Sequence, residues 1–171
     1  MSRTVRDVAD LIRRPNANIG MVIDRLRHWT AAGLLTAAGD PNPGTGRKRT
    51  YDEAAIYDAA ILNALADIGL PIGKQRYFMT VLLLAEQARQ WWAQKPRGGI
   101  VLEVADFGDP DPDGGTHAVF LHDGTKKGHL GNLIHPRAES SIILNISRLF
   151  RRIDNRSGAR RRNIAEPDRG S

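Results

Sequence analysis

The chain has 171 residues, 41% of them hydrophobic, a formal net charge of +6 and no cysteine. That is room for one domain or two small ones; it excludes disulfides and thiolate metal sites, and no apolar run is long enough to span a membrane. Residues 1–52 hold nine Lys/Arg against five Asp/Glu, residues 96–147 four against seven and residues 148–171 eight against three, so two basic ends flank an acidic middle, a distribution that suits a polyanionic partner.

Thr4 reads as an N-cap with Asp7 three residues on, and Val5, Val8, Leu11 and Ile12 share one face of the first helix. Pro15 breaks that helix, since it disfavours helical backbone at Arg14. A second helix follows, capped by Asn16 or Asn18. Ile19, Ile23 and Leu26 are expected to face the core, with Arg25, Arg27 and His28 on other faces. Gly33 is placed to end it in the left-handed conformation. Leu34-Leu35-Thr36 then reads as a short strand, Gly39 to Gly46 as a turn, and Arg47 to Tyr51 as the returning strand. Asp52 caps a third helix, expected from about Glu53 to Ile68, with the stripe Ile56, Ala60, Ile61, Leu65 and Ile68. Gly69 stops it, and Pro71 leads into a single long helix expected over residues 72–94. That helix carries Tyr77, Phe78, the apolar run Val81 to Leu84, and Trp91-Trp92, which are expected to pack.

Pro96 to Gly99 marks a boundary. Ile100 to Ala105 and His117 to His122 read as a hairpin around an acidic loop, and Ser141 to Ile146 as a third strand, in an order left open. Ser147 to Ile153 turns helical, and from about Asp154 the Arg/Gly/Ser/Asn composition predicts a disordered basic tail. The N-terminus lacks the apolar core of a signal peptide, so a cytoplasmic protein is expected.

Few constellations carry other chemistry. Asp109 to Gly114 resembles the start of a calcium loop, but Phe120 stands where a bidentate Glu is needed. His117, His122, His129 and His135 lack the spacing of a zinc site; the first two have opposite parity on one strand and so point to opposite faces. The glycines of 39–46 lack the Gly-Lys-Ser/Thr ending of a phosphate-binding loop. No Ser/His/Asp arrangement stands out. Neither a catalytic set, a metal nor a cofactor is expected.

Helix, helix, short strand, basic Gly/Pro-rich tip, short strand and capped helix is the order of a winged helix-turn-helix, in which one part enters a DNA groove and another rests on phosphate. Over roughly residues 4–76 the chain resembles the MerR family of bacterial transcriptional regulators. The resemblance rests on Val8-Ala9-Asp10-Leu11, Leu26-Arg27-His28-Trp29 with Gly33-Leu34-Leu35, Arg49-Thr50-Tyr51-Asp52-Glu53, and Gly69-Leu70-Pro71-Ile72. It departs in extra residues around Arg13 to Ile19, and in Asp24, with Arg25 beside it, where that family often has Arg.

What the resemblance implies is a homodimer, paired through residues 72–94, that binds pseudo-palindromic promoter DNA. It matches Arg27 to the recognition-helix Arg and Arg49 to the wing Arg, and puts His28 where an aromatic approaches the sugar-phosphate backbone. Arg47 and Lys48 neighbour Arg49 on the wing, and Tyr51 and Trp29 serve either packing or a backbone contact. The expected DNA-binding set is Arg25, Arg27, His28, Arg47, Lys48, Arg49 and Tyr51. Arg suits it because its planar fork takes two phosphate oxygens or the guanine edge.

The fold expected is therefore α+β: an N-terminal winged helix-turn-helix over 1–70, a linking and dimerising helix over 71–95, a small β-rich module over 96–153 and a basic tail over 154–171. The leading function is sequence-specific DNA binding in transcriptional control. Two rivals stand beside it: an architectural or accessory DNA binder, and a protein-interaction module whose C-terminal part is the working end. Fold analogy alone does not decide among them.

Overall fold

The computed structural model describes residues 2–39, 48–94, 100–106, 117–123 and 140–165. Helices and small antiparallel sheets alternate in the order β1 (Arg3–Thr4), α1 (Val5–Ile12), α2 (Ile19–Ala31), β2 (Thr50–Tyr51), α3 (Glu53–Asp67), α4 (Ile72–Thr80), α5 (Leu84–Ala93), β3 (Ile100–Asp106), β4 (His117–Asp123), β5 (Ser140–Asn145) and α6 (Ile146–Ala165). This is the mixed α+β class that the sequence predicts. The chain divides into two compact units, one of residues 1–63 with 149–171, the other of residues 64–148.

In the first unit, local chemistry sets most helix ends. Thr4 and Asp7 form a reciprocal cap on α1: the Thr4 hydroxyl donates to Asp7 Oδ2 at 2.7 Å and accepts from the Asp7 amide at 3.3 Å. Asn18, not Asn16, caps α2, accepting from the Gly20 amide at 2.8 Å. Gly33 (φ 69) ends α2. Its amide donates to Thr30 O, and the next amide, Leu34, reaches back to Trp29 O at 2.8 Å, a closure that satisfies the last carbonyls of a helix. This closure uses Leu34 and Leu35, so the expected strand at Leu34 to Thr36 does not form. Both leucines are buried instead, and Ala38 bridges to Thr50. The remaining edge of β2 is taken by β1, with Arg3 opposite Tyr51 and Thr4 opposite Thr50.

The core face of α2 is Val22, Leu26 and Trp29, each 2% exposed or less. Ile19 and Ile23, expected inside, are half-buried. Asp52 caps α3 through the Ala55 amide at 2.8 Å. Ile56, Ala60, Ile61 and Leu65 of its expected stripe are buried, but Ile68 is 52% exposed, because it lies beyond the last helical residue, Asp67.

The segment from Asp154 is not a disordered tail as far as Ala165; it is the second half of α6. As far as Arg156, composition is overridden by tertiary partners. Phe150 and Ile153 are buried, the Phe150 ring lies 4.5 Å from that of Tyr57, and the Tyr57 hydroxyl donates to Asp154 at 2.6 Å. Arg156 donates to the carbonyls of Asp10, Leu11 and Arg13, and Arg152 to that of Ile12, at 2.7–3.0 Å. These carbonyls at the end of α1 have no partner within their own helix. Two arginines from the far end of the chain thus cap the first helix.

In the second unit, α3 ends at Gly69 (φ 84) in the same way as α2, with Leu70 N reaching Leu65 O at 3.1 Å. The expected single helix over 72–94 is two. In a continuous helix Phe78 and Leu84, six residues apart, point about 120° from each other. A left-handed Leu83 (φ 49) breaks the helix, and both side chains are buried, at 2% and 0% exposed. That conformation costs an L-residue roughly 1–2 kcal/mol, and leaves Val81 and Leu83 exposed.

The three β-strands expected in the C-terminal region form one antiparallel sheet of order β4-β3-β5, with Ile100 opposite Asp123 and Val101 opposite Asn145. Glu103 of the central strand is fully buried and accepts from the Ser141 hydroxyl at 2.7 Å. Among the described residues, no helix is long and apolar enough to cross a membrane.

Candidate nucleic-acid interface

The first unit contains a cleft of about 540 Å³ lined by Thr4, Val5, Arg6, Asp7, Ile23, Arg27, Lys48 and Arg49. Three segments far apart in sequence build it. The capping box fixes the first turn of α1 and with it Arg6 and Asp7. Packing of α1 on α2 brings in Ile23 and Arg27. The β1–β2 pairing, with Thr4 opposite Thr50, carries Lys48 and Arg49 to the same place.

Four cations and one carboxylate therefore share the cleft. The Asp7 carboxylate is engaged by the Thr4 amide and hydroxyl, so it serves the helix cap. Arg6, Arg27 and Lys48 are exposed, and Arg49 is half-buried. Arg27 is paired with Asp24 one turn earlier at 3.2 Å, with side chains 63% and 76% exposed. A pair that open to water is worth at most about 1 kcal/mol, so an incoming anion can displace it. Half-buried Ile23 gives the wall an apolar element. Guanidinium and ammonium groups converging from three directions match the oxygens of a phosphodiester.

The expected DNA-binding residues fare differently. Arg27, Lys48 and Arg49 come together in the cleft. His28 is exposed on the outward face of α2, beside Met21 and Asp24, and does not line the cleft. Arg25 turns elsewhere: it donates to Asn63 Oδ1 at 2.9 Å, and Asn63 is 2% exposed on α3. Tyr51 is fully buried, its hydroxyl 2.8 Å from Thr30 Oγ1. Because the single Thr30 proton goes to Leu26 O, Tyr51 is the donor of that pair. Tyr51 is thus a core residue and not an outward contact, and Trp29 is core as well. Arg47 lies outside the described residues.

The sequence reading missed Arg6. Its position in the first turn of α1, off the Val8/Leu11/Ile12 face, marks it as a surface residue. What no local signal reveals is that this turn abuts the segment around Thr50.

Among the described residues, no group of three or more His, Asp or Glu is placed to hold a metal ion. The acidic loop Asp109 to Gly114, His129 and His135 lie outside the described residues; His117 and His122 fall on β4. No protein-family model matches the chain, and no curated protein matches it.

Proposed function

We propose that this protein is a sequence-specific DNA-binding regulator built on a MerR-like winged helix-turn-helix. The observation that carries the reading is the basic cleft: Arg6, Arg27, Lys48 and Arg49 converge from α1, α2 and the segment before β2. In the proposed complex the outward face of α2, with Arg27 and His28, enters a groove, while Lys48, Arg49 and Arg6 hold the flanking phosphates. Phosphate contacts set register and base-edge contacts set sequence preference. The weak Asp24–Arg27 pair leaves Arg27 available to either task.

Pairing of two copies through residues 72–94 belongs to the same proposal. Ile72, Val81 and Leu83 of that segment are 36%, 61% and 48% exposed, and a second copy would cover them. Selection of genomic fragments by the purified protein at two salt concentrations, beside Arg49→Ala, tests the reading. Enrichment of a two-fold symmetric site, steep salt dependence and loss in the variant are expected. Equal, weak and salt-insensitive retention of both proteins sinks it.

A further inference from the structure

Helix α6 contains seven arginines and one acidic residue, Asp154. Arginines four apart on a helix repel each other, and here the pairs Arg148/Arg152 and Arg152/Arg156 fall within it. Asp154, three residues after Arg151, keeps its charge while accepting from Tyr57 and relieves that arginine. The repulsion is offset further where Arg152 and Arg156 sit on the carbonyls at the C-terminal, partially negative end of α1. Arg148 and Arg151 are exposed, three apart and so on one side of the helix. Arg160, Arg161 and Arg162 occupy its last turns. Like charge thus recurs along one helix, whose middle is anchored by Phe150, Ile153, Arg152 and Arg156.

We infer that α6 is a second phosphate-binding element, which adds duplex backbone contacts to those of the cleft. The inference rests on the DNA-binding reading and extends it. The cleft lies at the N-terminal end of α1 and the anchor of α6 at its C-terminal end, so one short helix carries a cationic element at each end. A duplex phosphate strand would neutralise the array and release its counterions.

The test uses the full chain and a random-sequence DNA duplex, with affinity followed against salt. Replacing Arg148, Arg151, Arg160, Arg161 and Arg162 by alanine is expected to weaken low-salt binding at least about tenfold and to lower the slope of log affinity against log salt by about 0.9 for each lost contact. The same five positions as lysine should keep the slope. A milder variant, R160Q/R161Q/R162Q, leaves every anchor in place and should show part of the loss. Far-UV circular dichroism reports whether each variant is folded.

An unchanged slope in the folded glutamine variant and in the alanine variant overturns the inference. So does an unchanged duplex slope accompanied by lost binding to phosphatidylserine vesicles, which would assign the array to a lipid surface. The variant K48A/R49A separates this inference from the function it extends. Salt-dependent binding by wild type that falls in K48A/R49A but not in the α6 variants removes α6 alone. Salt-insensitive binding by wild type removes the DNA-binding reading itself.

Discussion

The two ends of α1 both gather positive charge and use it differently. At the N-terminal end Arg6, Arg27, Lys48 and Arg49 line a cleft. At the C-terminal end Arg152 and Arg156 are consumed by the carbonyls of Asp10, Leu11, Ile12 and Arg13. A count of positive charges puts all six cations in one class. Their surroundings divide them: one set faces a space that a ligand can enter, and the other replaces hydrogen bonds that the helix cannot make for itself. A basic chain is therefore not uniformly a chain with basic function.

The largest effect expected on this contrast comes from Phe150→Ala. The ring is fully buried against Tyr57, and truncating a buried Phe costs about 3–5 kcal/mol. Urea unfolding should show that loss and, because α6 from Leu149 onward belongs to the first unit, faster amide exchange in α1. Unchanged exchange in α1 would mean that α6 is not integral to the unit.

Arg156→Ala comes next. Its guanidinium donates to three carbonyls at 2.7–3.0 Å. Hydrogen bonds from a charged donor contribute about 1.5–3 kcal/mol, and because Arg156 is half-buried the low end of that range is expected in urea unfolding. The salt slope of duplex binding should not change. A fall in slope with unaltered stability would put Arg156 among the phosphate contacts and dissolve the contrast.

At the other end of α1 the signature should invert. Lys48→Ala, at an exposed position, is expected to leave the unfolding midpoint nearly unchanged, and Arg49→Ala, at a half-buried one, to lower it slightly. Each should weaken duplex binding about tenfold at low salt and reduce the salt slope by about 1. Arg25→Ala serves as the internal control: its partner is Asn63, so stability should fall and the slope should stay. If Arg25→Ala lowers the slope as much as Arg49→Ala, the cleft does not delimit the interface.

What was legible in the sequence follows the range of each interaction. Thr4 with Asp7, Asp52 with Ala55, and the glycines at 33 and 69 are decided within a few residues, and each was readable as a cap or a stop. The three strands of the C-terminal region were readable from β-branched runs, but their order was not, because pairing is non-local. The fate of individual arginines was least legible. Arg25 and Arg49 are alike in sequence, yet one meets Asn63 and the other lines the cleft, which only the tertiary fold decides. The break at Leu83 was hidden because an apolar run suits a helix at every position, while the demand that Phe78 and Leu84 both be buried comes from the core. The helical second half of α6 was hidden by a composition that favours disorder until Tyr57 and the α1 carbonyls supply partners.

The smallest effect is the sharpest test of how the cleft is bounded. Tyr51 stands in the expected DNA-binding set with packing as its other reading, and the fold buries it completely, with its hydroxyl donating to Thr30. Tyr51→Phe keeps the ring and removes that one bond. A neutral hydrogen bond contributes about 1 kcal/mol net, and Thr30 retains its bond to Leu26 O, so a modest fall in stability is expected. Duplex affinity and its salt slope should match wild type, because the removed oxygen never reached solvent. A variant that is fully stable yet binds duplex several-fold more weakly would require the Tyr51 hydroxyl to turn outward on binding. The segment before β2 would then have to open before it could grip phosphate, and Lys48 and Arg49 would reach their positions only in the complex.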